Sequence, residues 1–157
     1  WAIKIIIMDQ SRDIKIISAA KRIRDEHWNK SSNVSFATKS SNKIHKEWQR
    51  AIKSEFPQIE IECKVANIAN EKIDVVDVEN KIAYELKVSG NNISHEFYKN
   101  LCKVITYNCH QNKNSMIKEF VFMSDAEKIK SFSRRLDKKF VKSIKSNYSI
   151  EIRLKGL

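Results

Sequence analysis

Two hydrophobic periods divide the chain. Ile16, Ala19, Ala20 and Ile23 recur at helical spacing, which predicts a helix over about residues 11–28. Residues 1–8 are apolar except for Lys4 and fit either a strand or the start of that helix. Residues 29–42 are rich in Ser, Asn and Lys and read as a mobile loop. From about residue 41 to 56, Ile44, Trp48, Ala51, Ile52 and Phe56 mark one face of a second helix, which Pro57 stops. Glu47 lies on the flank of that face.

The period then shortens to two. Residues 59–65, 72–78 and 81–88 read as strands, the last two joined by Glu79-Asn80. Asn tolerates positive φ, so a two-residue hairpin turn is expected there. A third helix is expected from Ser94, as N-cap, to about Cys109. Its stripe is Phe97, Leu101, Val104 and Ile105, widened by Tyr98 and Cys102, a breadth that suits packing on a sheet. Residues 117–123 read as a strand. A last helix opens at Ser124 with Glu127 three residues on, a capping-box pattern, and buries Ile129, Phe132, Leu136, Phe140 and Ile144. Residues 149–154 alternate and close the chain as a strand.

This order predicts an α/β chain of α+β type, with a mixed central β-sheet flanked by helices. With 157 residues, only two Gly and one Pro, a many-stranded sandwich is disfavoured. Neither a repeat nor a linker calls for a second domain. The expected organisation is one domain over 1–157: an N-terminal extension over 1–40, a core over about 41–123, and a C-terminal basic helix and strand over 124–157. The chain begins with Trp1 rather than Met, as a processed or excised piece of a longer protein would.

The net charge of +11 adds a partner to this picture. A soluble domain this basic usually meets a polyanion, most often nucleic acid. A basic surface inherited from a genome rich in Lys, Asn and Ile codons is the alternative. Cys63, Cys102 and Cys109 have no framework or metal-site spacing, so reduced thiols in a reducing compartment are expected. Cys102 and Cys109, seven apart, are expected to pack. No apolar run is long enough to span a membrane.

Candidate chemistry centres on the hairpin. Glu-x-Lys occurs three times, at Glu62, Glu79 and Glu85, which is near chance for a chain with this much Glu and Lys. Only Glu85-Leu86-Lys87 lies inside a strongly apolar strand. Alternation puts Glu85 and Lys87 on one face with Ala83, and Tyr84, Leu86 and Val88 on the other, the expected core face. A turn at Glu79-Asn80 sets Val76 opposite Ala83 and Asp74 opposite Glu85, with Cβ atoms about 4.5–5.5 Å apart. Opposed carboxylates destabilise a sheet unless a cation joins them. Mg²⁺, which takes one or two carboxylates and keeps its waters for phosphate, would resolve that repulsion. The plainer reading is a solvated hairpin face on which Lys87 neutralises both acids. A longer loop would shift the register, and Asp77, of opposite parity, is expected on the other face or in the turn.

The run Ile73-Asp74-Val75-Val76 followed by Ala83-Tyr84-Glu85-Leu86-Lys87-Val88 resembles the active-site hairpin of the PD-(D/E)XK nuclease superfamily. The helix–three strands–helix–strand order of residues 41–123 is similar to that family's core. Ile73 stands where many members have Pro. The resemblance implies a restriction-endonuclease-like core, metal binding by Asp74 and Glu85, and a catalytic Lys87. It also implies a metal-binding role for Glu47, matched by its place on the first core helix; an ordinary surface acid is the alternative. Mg²⁺ or Mn²⁺ is the implied cofactor. The implied activity is an endonuclease on nucleic acid, with DNA favoured and RNA possible, in restriction, resolution or repair. Two other readings stand beside it. One is a toxin domain cutting DNA or tRNA in a competitor's cytoplasm and neutralised by an acidic immunity protein. The other is a non-catalytic nucleic-acid-binding domain, which the intact Asp, Glu and Lys set disfavours. A cytoplasmic site of action is expected, and a homodimer would suit double-strand cutting. Lys99, Lys103, Arg134, Arg135, Lys138 and Lys139 are the expected phosphate contacts, a solvated helix face being the alternative.

Overall fold

A computed structural model describes residues 2–28 and 34–157, with side chains at 12–28 and 38–157. The chain divides into two compact units, residues 1–57 and 58–157. Each is described by itself.

The first unit is a pair of helices, α1 (Ala2–His27) and α2 (Val34–Glu55). Residues 2–8 are helical, which settles their ambiguity. Part of the expected 29–42 loop is helix as well: α2 begins at Val34, and residues 29–33 lie outside the described residues. Ser and Asn lower helix propensity by only a few tenths of a kcal/mol each, roughly, so packing elsewhere along α2 can override them. Ile16, Ala20 and Ile23 of α1 are buried, as are Ile44, Trp48 and Ile52 of α2. Trp48 is a core residue, its indole N–H donating to the Ile16 carbonyl at 3.1 Å. The helix ends two residues before Pro57.

The second unit is a five-stranded sheet: β1 (Glu60–Lys64), β2 (Lys72–Asp77), β3 (Ile82–Lys87), β4 (Glu119–Ser124) and β5 (Glu151–Gly156), in that spatial order. β1, β2 and β3 form an antiparallel meander, while β4 runs parallel to β3 and β5 parallel to β4. Parallel neighbours need crossovers. One is helix α3 (Ile93–Cys109); the other is the pair α4 (Ala126–Arg135) and α5 (Lys138–Tyr148). The sheet is therefore mixed, as expected.

Phe97 of α3 anchors the core. Its ring lies 5.9 Å from Phe120, 5.7 Å from Phe122 and 5.0 Å from Phe132. Leu101, Val104, Val76, Ala83, Ile129 and Ile144 complete the same cluster. Asn108 ties the end of α3 to the chain entering β4, donating to the Ile117 carbonyl at 2.9 Å and accepting from its N–H at 2.8 Å.

Several local expectations are corrected. Tyr98 and Cys102 do not widen the α3 stripe, because both are exposed, and Cys109 is exposed too. The N-cap of α3 is Asn92 in a left-handed conformation, not Ser94. Ser124 belongs to β4, and Asp125 caps α4 instead, accepting from the N–H groups of Glu127 and Lys128. The single basic helix is two helices, broken where Asp137 caps α5. Among the described residues no helix is long and apolar enough to cross a membrane.

Candidate functional site

The hairpin turn fixes the site. The buried Asp77 carboxylate accepts from the Asn80 backbone N–H at 3.1 Å and from its side-chain amide at 2.9 Å. The connection spans the four residues between Asp77 and Ile82, and Lys81, not Asn80, takes positive φ, at 60°. It stays centred between residues 79 and 80, so the extra length leaves the register unchanged. Asp77 pairs with Ile82, Val76 with Ala83 and Val75 with Tyr84.

One step further along this register stand Asp74 and Glu85. There the side chains take over the ladder. The Leu86 N–H donates to Asp74 Oδ2 at 3.0 Å, and the Asp74 N–H donates to Glu85 Oε1 at 3.3 Å. Each acid thus accepts an amide of the opposite strand, and the Asp74 charge is near enough to act on Glu85.

This face is not a solvated one. Ala83 belongs to the cluster under α3, and Glu85 is only 2% exposed. Ala83, Tyr84, Glu85 and Leu86 are all buried, because β3 is the central strand of the sheet. The expectation of one core face and one polar face on β3 therefore fails. Burial pushes the Glu85 carboxyl well above its ordinary range, and the Asp74 charge raises it further. Two contacts oppose this: the Lys103 ammonium, 3.1 Å from Oε1, and the Asp74 N–H.

Lys87 is the last residue of β3, two beyond Glu85 and so on the same side of the strand. It is half-buried. Its backbone is pinned to β4, where Ser124 Oγ donates to the Lys87 carbonyl at 2.6 Å. Among the described residues no hydrogen bond or ion pair engages its ammonium.

The other expected site residues have partners or settings of their own. Glu47 lies in the helical unit, where His27 Nε2 sits 2.8 Å from its Oε2 and Lys43 is 3.7 Å from Oε1. Lys103 is turned inward to Glu85, its side chain 14% exposed, so it is not an open phosphate contact. Lys99 pairs with Glu96 at 3.2 Å. Arg134, Arg135, Lys138 and Lys139 are exposed around the α4–α5 break. Arg135 also lines an open cleft of about 500 Å³ with Lys128, Ser131, His95 and the loop that follows β3.

Sequence reasoning missed the role of Lys103 because the contact joins residues 18 apart. A weak signal existed: Lys103 flanks the α3 stripe beside Val104, where a lysine stem packs and its head finds an acid.

Among the described residues no group of three or more His, Cys, Asp or Glu side chains could hold a metal. Two paired carboxylates do suit a hard divalent cation that keeps most of its waters. Their donor set is oxygen only, which favours Mg²⁺ or Mn²⁺ over zinc. Comparison with family models, curated proteins and solved structures finds no match for this chain.

Proposed function

We propose that the chain is a metal-dependent nuclease that hydrolyses phosphodiester bonds of nucleic acid, DNA in the first instance. The observation that carries this reading is that Asp74 and Glu85, on adjacent strands, each accept an amide of the other's strand, with Lys87 two residues beyond Glu85. Nothing about stability requires two acids at that point of a sheet, where they repel. The element order supports a restriction-endonuclease-like core: a helix, three antiparallel strands, a helix, then a strand parallel to the third.

Asp74 and Glu85 would hold Mg²⁺ or Mn²⁺, which when bound supplies Lewis-acid polarisation of a phosphoryl group. The bridging amides of Leu86 and Asp74 keep both carboxylates oriented. Lys87 orients or deprotonates the attacking water and offsets negative charge developing on phosphorus. The water oxygen bonds to phosphorus as the bond to the leaving sugar oxygen breaks, and the proton given up by the water is balanced by the one the leaving oxygen gains. The exposed cations of α4 and α5 position the phosphate backbone without reading sequence.

The test is incubation with plasmid DNA and with total tRNA, in Mg²⁺ or in EDTA, alongside Lys87→Ala and Asp74→Ala. Metal-dependent cutting by the wild type, reduced at least about a hundredfold in both variants, is expected. Binding without cutting under every condition makes the chain a binding domain instead. Cutting confined to tRNA moves the substrate to RNA and favours the toxin reading.

A further inference from the structure

One oxygen of the proposed metal site, on which this inference rests, is already occupied. Glu85 Oε1 receives both the Lys103 ammonium at 3.1 Å and the Asp74 N–H. Both partners of the ion pair are largely buried, with side-chain exposures of 14% and 3%. In such surroundings neither charge is readily left uncompensated. A divalent cation needs the same carboxylate, and two cationic groups crowding one oxygen repel strongly where water is excluded. The ammonium and the metal are therefore competitors.

A second observation shows where the ammonium can go. Asn100 lies on α3 one turn before Lys103, is 4% exposed, and its Oδ1 accepts no hydrogen bond. Residues three apart on a helix are neighbours, and a long side chain leans back toward the helix N-terminus. Asn100 Oδ1 is thus a buried acceptor on the side toward which the Lys103 side chain leans.

We propose that Lys103 is a displaceable counter-ion. It holds Glu85 until a divalent cation takes the carboxylate, then shifts to Asn100 Oδ1. Lys103 is a positioning residue in this scheme, and its release sets how tightly the metal binds.

The experiment is calorimetric titration of MnCl₂ into the whole chain at mildly alkaline pH, without nucleic acid. Wild type is compared with Lys103→Met, Lys103→Arg and Asn100→Leu, each checked for folding by circular dichroism. Lys103→Met is expected to bind Mn²⁺ roughly tenfold tighter or more, the scale of removing a close-range charge coupling. Lys103→Arg, whose planar fork grips a carboxylate more firmly, is expected to bind more weakly than wild type. Asn100→Leu is also expected to bind more weakly, since the displaced ammonium then has no acceptor.

Equal affinities across wild type and both Lys103 variants overturn the proposal. An unchanged affinity in Asn100→Leu overturns the Asn100 assignment. Should Lys103→Met fail to fold, the direction of change in Lys103→Arg decides. If none of the four proteins binds Mn²⁺, the metal reading itself has failed and the inference falls with it.

Discussion

At the scale of single residues, Glu85 is where the opposing forces meet. Burial and the Asp74 charge favour its neutral form, while Lys103 and the Asp74 N–H favour the ion. The net shift is upward from the ordinary value of 4.5. A carboxyl whose folded pKa lies above its unfolded one binds its proton more tightly when folded. Its contribution to stability is therefore full below the unfolded value and disappears as pH rises through the folded one. In EDTA, the Tm of wild type relative to Glu85→Gln should fall as pH climbs from below 4.5 toward neutrality. A difference between the two proteins that stays flat over that range would show that Glu85 is not held in this way. Asp77, by contrast, is buried but occupied by Asn80, and its task is to hold the turn that sets the register.

At the scale of elements, the break between α4 and α5 shows what hydrophobic spacing conceals. Ile129, Phe132, Leu136, Phe140 and Ile144 keep helical spacing straight across it. Leu136 and Asp137 are nonetheless extended, with ψ of 123° and 121°. The Asp137 carboxylate accepts from the N–H groups of Lys139 at 2.7 Å and Phe140 at 3.2 Å, restarting the helix. Asp137→Ala should cost about 1 kcal/mol in chemical denaturation, and Asp137→Ser should recover most of it. Equal stability of all three proteins would mean that packing of Phe140 and Ile144 alone restarts α5. At the same break, Arg134 and Arg135 end one helix while Lys138 and Lys139 begin the next, which gathers four exposed cations into one short stretch.

At the scale of the whole molecule, the net charge of +11 governs encounter with a polyanion. Binding to duplex DNA in EDTA, followed by fluorescence anisotropy, should weaken linearly in log K against log salt. Replacing Arg134, Arg135, Lys138 and Lys139 together by Gln should flatten that slope by roughly one unit for each phosphate no longer neutralised. An unchanged slope would place the nucleic acid elsewhere, with the cleft lined by Lys128 and Arg135 the next surface to alter.

Much of the candidate site is local in origin. Alternation along Ala83–Lys87 and a turn centred between residues 79 and 80 are properties of a short segment. They are enough to set Val75 opposite Tyr84 and bring Asp74 to Glu85, and the four-residue connection does not disturb them. The three strands, the α3 crossover and the strand after it are legible for the same reason, since each has a period of its own. Cap positions and the start of α2 are not, because weak propensities yield to packing. What the amino-acid sequence determined by itself is the order of elements and the meeting of two acids across a hairpin. What the tertiary structure alone decided is that β3 is central and buried, that α3 lies over the acids' face, and that Lys103 reaches Glu85 from 18 residues away. The reason is physical: strand register is a local repeat, whereas burial and the partner of a buried charge depend on which distant element packs on top.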